Sequence, residues 1–420
     1  MNFFKEINPD NHIVNLVKRG QFVFYTSSLE KLIYFFIFIF LARKFSVAEY
    51  GSIISVFVFG NILVSLFELG FANYFQRKIA SGKENLSEEI NSVLTFRFVS
   101  YLIILGSSFL YFPKDIISPM LVAIIVSAIF IFSTNWILIK IFYGLNQYRS
   151  VFNRFLISRI VLIIGVAALI SLNVSLTIIM TSFLLSAILE FGLLFYQLLQ
   201  MKLIEFKIDW RIGVLKRILI YSVPMGIGVF FVMVYDRIDI LLIQKIISTE
   251  AVSFYAIAYS LYKIPSIFTP IVLTPLFTDL SSEFELSRKI NLTKLKNISL
   301  LLFAFAVFSI IITYFLADVI ISITYGYNYL ASTDLLIMLV LALPFLFLNN
   351  LTGVTLNSIR KEGFVFYSTI IGASLNILLN VILLNMFGLM GAVITTIVSE
   401  LLVFLIQFNY LMKLRTQIFK

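Results

Sequence analysis

Residues 117–142, ISPMLVAIIVSAIFIFSTNWILIKIF, hold one charged side chain, Lys140, in twenty-six positions. A helix crossing the hydrocarbon core of a bilayer needs about 20 predominantly apolar residues, so this stretch is long and apolar enough to span. Reading apolar runs against polar breaks outward from it gives twelve such segments: 21–42, 48–71, 93–112, 117–142, 155–173, 175–200, 217–244, 252–277, 297–325, 334–357, 364–386 and 388–412. Pro113 and Pro119 mark the turn between the third and fourth, and Asn385 to Gly388 the turn between the last two. Composition agrees: 60% of the 420 residues are hydrophobic and 13% charged, against about 45–50% and about 25% in soluble domains. The expected fold class is an all-α polytopic membrane protein with no room for a sizeable soluble domain. Cysteine is absent and His12 is the only histidine, which argues against disulfides, thiolate chemistry and a zinc cluster.

The net charge of +10 is distributed unevenly. Of the 32 Lys and Arg, 22 fall in the termini and even-numbered connections, four (Arg43, Lys44, Lys114, Lys245) in odd-numbered connections and six inside spans. Basic loops stay in the cytoplasm, so both termini are expected there, and the excess is read as orientation rather than as affinity for nucleic acid. Residues 1–20 mix Lys5, Glu6, Asp10, Lys18 and Arg19 without an apolar core and cleavage site, so no cleaved signal peptide is expected.

An internal repeat appears at an offset near 210. Leu145, Asn146 and Arg149 match Leu356, Asn357 and Arg360; Glu190 matches Glu400; Lys44 and Glu49 match Lys245 and Glu250 at offset 201. Six spans per half with both halves starting inside describes a parallel repeat about an axis along the membrane normal. The expected organisation is a cytoplasmic segment 1–20, a six-helix bundle 21–200, a cytoplasmic linker 201–216, a second bundle 217–412 and a cytoplasmic tail 413–420, with a central cavity between the bundles. Segments 72–90 and 279–294 mix charge with spaced apolar residues, a pattern of interfacial amphipathic helices as well as of solvated loops.

Several stretches carry a family resemblance: LARKFSVAEYG at 41–51, ELGFANYFQRKIA at 68–80, the Tyr221 to Pro224 entry followed by Asp236-Arg237, YAIAY at 255–259, and NILLNVILLNMFGLMGAVITTIVSE at 376–400. Over nearly the whole chain it resembles the bacterial polysaccharide-export flippases, the O-antigen and capsule repeat-unit branch of the multidrug/oligosaccharidyl-lipid/polysaccharide superfamily. The resemblance implies twelve or fourteen spans, alternating access in the bacterial cytoplasmic (inner) membrane, and an undecaprenyl-pyrophosphate-linked oligosaccharide as cargo. Lipid-linked oligosaccharide and membrane lipids are the partners it implies, with a glycan polymerase and chain-length machinery alongside, no nucleic acid and no cofactor.

Ionisable groups away from helix ends are Glu30, Lys31, Glu190, Asp236, Arg237, Asp239, Lys263 and Glu400. Each costs about 2.5–3.5 kcal/mol at a helix centre on insertion scales, so they must face one another or water. Lys31, Arg237 and Lys263 suit a pyrophosphate, which needs cationic partners. Glu30, Asp236, Asp239, Glu190 and Glu400 are candidates for lining the cavity or for coupling. All eight also fit ion pairs that only fix helix packing, with Asp236 and Asp239 three apart and positioned to clamp Lys31 or Lys263. Arg97, Lys140 and Arg159 lie near cytoplasmic ends and are expected to snorkel, with lining of the inner mouth as the alternative.

Tyr255, Tyr259 and Tyr262 form an i, i+4, i+7 stripe suited to stacking on sugars, or to packing. Asn376 and Asn380 share a helix face, where interhelical hydrogen bonding competes with glycan contact. Pro265, Pro270 and Pro275 should break and bend the eighth span. A cation-coupled drug exporter of the same superfamily is the main rival reading, although the intramembrane cations favour an anionic cargo. A glycan polymerase or ligase is disfavoured by the short external connections and by the lack of an acid/base constellation, a Walker A or GxGxxG motif, or metal-ligand spacing. No catalytic residue and no metal ligand is assigned.

Overall fold

The computed structural model describes residues 9–82, 86–205 and 211–419, with side chains from residue 21 onward. Lys5, Lys83, Lys207 and Lys420, counted in the charge asymmetry, and residues 206–210 of the expected linker lie outside the described residues, as do the side chains of His12, Lys18 and Arg19. The chain is a multi-pass membrane protein. Its helices are α1 (Pro9–Lys44), α2 (Val47–Glu68), α3 (Phe71–Ala80), α4 (Leu86–Tyr111), α5 (Pro119–Gly144), α6 (Tyr148–Ser171), α7 (Leu176–Gln200) and α8 (Ile212–Ile246). There follow α9 (Thr249–Tyr262), α10 (Thr269–Ser287), α11 (Leu292–Thr324), α12 (Ser332–Leu339), α13 (Leu343–Ser358), α14 (Glu362–Phe387), α15 (Leu389–Lys413) and α16 (Arg415–Ile418).

Twelve segments among the described residues are long and apolar enough to cross a membrane, in the expected order. Two consist of paired helices. In the eighth, a 3₁₀ stretch at Ile264–Phe268 separates α9 from α10, with Pro265 inside it and Pro270 in the first turn of α10. Proline lacks the N–H that continues an α-helix and tolerates only the first turn, which explains both positions. Pro275 departs from expectation, since α10 runs through it. The tenth span breaks as well, at Val340–Ala342 just before Pro344, a break not anticipated from the sequence.

The chain forms two compact units, one comprising Met1–Lys44 and Phe59–Phe230, the other Phe45–Val58 and Phe231–Lys420. These differ from the sequence halves because α2 and α8 are continuous helices, each of which contributes residues to both units.

In the first unit, α3 buries Phe71, Ala72, Phe75 and Ile79 along one face, in a core with Leu138 and Phe142 of α5 and Leu194 and Leu198 of α7. The amphipathic pattern of 72–90 is therefore α3 packed into protein, followed by the start of α4. Segment 279–294 is no separate helix: α10 continues to Ser287, and Lys294 of α11 pairs with Glu283 at 2.8 Å and Asp279 at 3.3 Å. Glu89, buried at the start of α4, ties three elements together through Lys78 at 2.6 Å, Arg217 at 3.0 Å and the Tyr74 hydroxyl at 3.0 Å. Burial and the neighbouring Glu89 carboxylate push the Tyr74 phenol above its ordinary range.

The repeat shows in how helices end. After α5, Asn146 adopts φ +60° and the Gln147 N–H returns to the Phe142 carbonyl at 2.9 Å. After α13, Arg360 adopts φ +60° and the Lys361 N–H returns to the Leu356 carbonyl at 2.9 Å. Both are Schellman caps, which satisfy otherwise orphaned carbonyls. They align at an offset of 214, as do the starts of α6 and α14. The Leu-Asn…Arg match at offset 211 is thus displaced by three residues, nearly one helical turn, from the structural register. At the other end of the chain, the Ile290 N–H donates to the Ile418 carbonyl at 2.7 Å, tying the segment around α16 to the α10–α11 turn.

Candidate functional site

The second unit concentrates charge where α8 faces α9. Asp236 Oδ1 accepts Lys263 Nζ at 2.9 Å and the Tyr259 hydroxyl at 2.7 Å, while Oδ2 meets Arg237 Nε at 3.0 Å. Lys263 follows α9 directly, which brings its ammonium back over the rings of Tyr259 and Tyr262 at 5.1 and 5.5 Å. Arg237 lies 5.4 Å over Tyr259. Two cations thus share one carboxylate, an excess of one positive charge. The side chains of Asp236, Arg237 and Lys263 are 31%, 40% and 26% exposed, so the group is open to a ligand while its aromatic backing is not.

Asp239, one turn along α8, is held differently. It is buried and accepts the Tyr255 hydroxyl and the Ile240 N–H; the same tyrosine oxygen lies 3.1 Å from Thr396 Oγ1 of α15. The clamp expected between both aspartates and a lysine is made by Asp236 alone. Tyr255, Tyr259 and Tyr262 are all buried, which accords with the packing alternative rather than with stacking on sugars: two hold carboxylates and all three pack. Asn376 and Asn380 are buried too, and Asn380 Nδ2 donates to Asn376 Oδ1 at 3.0 Å within α14 rather than between helices. Glu400 of α15 is buried and accepts from Asn349 Nδ2 of α13 at 3.0 Å.

In the first unit, Arg159 of α6 corrects the expectation that it snorkels. It is buried and bridges Glu30 of α1 at 3.0 Å and Glu190 of α7 at 3.2 Å, with its guanidinium over Phe132 and Phe155 at 4.6 and 4.9 Å. Asn135 Nδ2 of α5 approaches Glu190 at 3.5 Å. Asn135 and Asn349 stand 214 apart, the offset of the caps, so each unit supports the glutamate of its sixth span with an asparagine of its fourth. Only Glu190 also has an arginine, because offset 211 to 214 from Arg159 falls on apolar and small residues of α14. Arg97 is buried as well, whereas Lys140 lies half-buried over the Trp136 ring at 4.8 Å. Lys31 is exposed on α1 and makes no ion pair among the described residues. Of the three cations expected together, Arg237 and Lys263 meet in one cluster, and Lys31 belongs to the other unit. Sequence reading missed Asn135, Asn349 and Thr396; an asparagine in the midst of spans four and ten was the available signal.

The sequence profile of a family described as "Polysaccharide biosynthesis protein" matches residues 40–334. A probable low-salt glycan biosynthesis flippase, Agl15, from Haloferax volcanii is 27% identical over 186 residues, 43% of this chain and 38% of that protein. The aligned stretch therefore spans about two fifths of that relative's length. Among solved structures, a lipid II flippase, MurJ, in an inward closed conformation superposes with a TM-score of 0.72 at 21% identity, covering 96% of this chain and 88% of that one. A multidrug resistance MATE family transporter of the MOP superfamily, inward-facing, gives a TM-score of 0.68 at 14% identity, covering 92% and 94%. These likenesses describe the fold: all-helical, with two repeat halves.

Proposed function

The chain belongs to the polysaccharide biosynthesis protein family, and we propose that it is a flippase that moves a lipid-linked glycan from the inner to the outer leaflet by alternating access. The observation that carries this reading is the open, net-positive group of Arg237, Lys263 and Asp236. A pyrophosphate linking glycan to lipid carries concentrated negative charge that must leave water on crossing. Cationic donors replace its hydration more strongly than neutral ones do. Asp236 moderates the field, so the headgroup is held yet released. Lys31 is a further headgroup contact in this reading, and an undecaprenyl-pyrophosphate oligosaccharide of the O-antigen or capsule kind is the cargo. The setting is the bacterial cytoplasmic membrane with both termini inside.

Alanine at Arg237 and at Lys263, with membrane abundance confirmed, should each reduce surface glycan severalfold. Arg237→Lys should be partly tolerated if charge suffices and poorly tolerated if paired N–H geometry is needed. Wild-type export from both alanine variants would remove the cationic group from the mechanism. A cation-coupled drug exporter is the second reading, favoured by the Glu30–Arg159–Glu190 network, whose half-exposed Glu30 suits exchange of a proton or cation. Ethidium efflux lost with Glu30→Gln, alongside unaltered glycan export in the Arg237 and Lys263 variants, would favour it.

A further inference from the structure

We propose that the first unit binds an acidic membrane lipid, its phosphate at Arg97 and its acyl chain in a phenylalanine-lined cavity. Arg97, on α4, is 1% exposed. Its Nη2 donates to the Phe130 carbonyl at 3.4 Å, Ser133 Oγ at 3.1 Å and Thr134 Oγ1 at 3.4 Å, and the guanidinium lies 4.3 Å over the Phe130 ring. Nε and Nη1 are buried with no hydrogen-bond partner. One N–H on Nε and two on Nη1 are therefore unused. Among the described residues Arg97 forms no ion pair, unlike Arg159, which pairs with two carboxylates and leaves only Nε without a partner. A buried guanidinium so placed is costly unless something anionic completes it.

Arg97 also lines a cavity of about 470 Å³, within the usual range for small-molecule sites. Arg97, Phe98, Phe130, Ile188, Phe191 and Phe195 line it. Phe98 and Ile188 are 64% and 48% exposed, so the cavity opens at the surface of the unit. Asn91 lines the same cavity six residues nearer the start of α4, among the polar residues that precede the apolar run at Val93. Arg97 is thus only about 6 Å inside that run at 1.5 Å per residue, a depth a lipid phosphate reaches. A free anion would have to shed its water among aromatic rings. A lipid brings the charge on a chain those rings accommodate. The cluster around Asp236 belongs to the other unit, and this inference stands apart from the glycan reading.

Binding is measured by native mass spectrometry on the full-length protein in mild detergent, with dioleoylphosphatidylglycerol, dioleoylphosphatidylcholine or inorganic phosphate as probes. The wild type should retain phosphatidylglycerol over phosphatidylcholine, and millimolar inorganic phosphate should not displace it. Arg97→Gln should weaken retention tenfold or more. Ile188→Trp, which narrows the opening without touching the arginine, should weaken it likewise and decides the question if Arg97→Gln does not fold. Wild-type retention of phosphatidylglycerol in either folded variant overturns the proposal, as does displacement by inorganic phosphate.

Discussion

At the scale of single residues, the two charge groups differ in what they leave open. Asp236 serves two cations and a tyrosine, so Asp236→Asn should raise the positive field around Arg237 and Lys263. A pyrophosphate lipid should then bind severalfold more tightly while glycan export falls, because release becomes the slow step; weaker binding in a scintillation or fluorescence assay would contradict this. Arg159 is the opposite case, closed by Glu30 and Glu190. Removing one partner of a buried pair costs about 3–5 kcal/mol because the other is left uncompensated. Arg159→Gln should lower the thermal midpoint markedly, and adding Glu190→Gln should restore much of it. A double variant no better than the single one would show that the arginine matters by packing on Phe132 and Phe155 rather than by charge.

At the scale of elements, the spans were legible because apolar length is dictated by the bilayer, whereas their interruptions and partners were legible only in part. Pro265 and Pro270 announced the break in the eighth span, yet Pro275 has the same chemistry and sits inside α10. A proline's effect depends on whether neighbours or water satisfy the carbonyl it frees, which no local sequence records. Arg97 and Arg159 were misread for a related reason: a position near a helix end permits snorkelling, but carboxylates and rings on other helices decided otherwise. The tyrosine stripe was correctly placed on one face, and what it faces came from α8. Close approach is similarly silent in sequence. A Cβ on Gly226 of α8 would collide with the Leu69–Gly70 backbone between α2 and α3, where Gly70 has φ +77°. Gly226→Ala should therefore reduce the yield of folded protein in fluorescence-detected size-exclusion chromatography, while Gly106→Ala on α4, with nothing within 4 Å, should not.

At the scale of the whole molecule, the two units share caps, an asparagine and a glutamate, but only the first adds an arginine to that glutamate. The repeat was visible in sequence, although at offset 211 rather than 214, because apolar helices tolerate almost any aliphatic exchange and preserve few marks of common register. Charge kept a clearer record, with 22 of 32 basic residues in the termini and even-numbered connections. Cysteines introduced singly at Arg149, Lys202 and Arg360 should react with an impermeant maleimide only after the cells are opened, and those at Lys114 and Lys245 in intact cells. No native cysteine has to be removed first. Labelling of position 202 from outside would reverse the orientation.

The bond between Ile290 and Ile418 reaches beyond the fold itself, into how the protein can be handled. Because Ile418 is buried and its carbonyl is engaged, the segment around α16 acts as a clasp on the α10–α11 turn. A fluorescent fusion or affinity handle joined without a spacer after this tail pulls on that clasp, so reporter signal and transport competence become entangled. A handle set off by a long flexible spacer leaves the clasp shut and reports abundance alone.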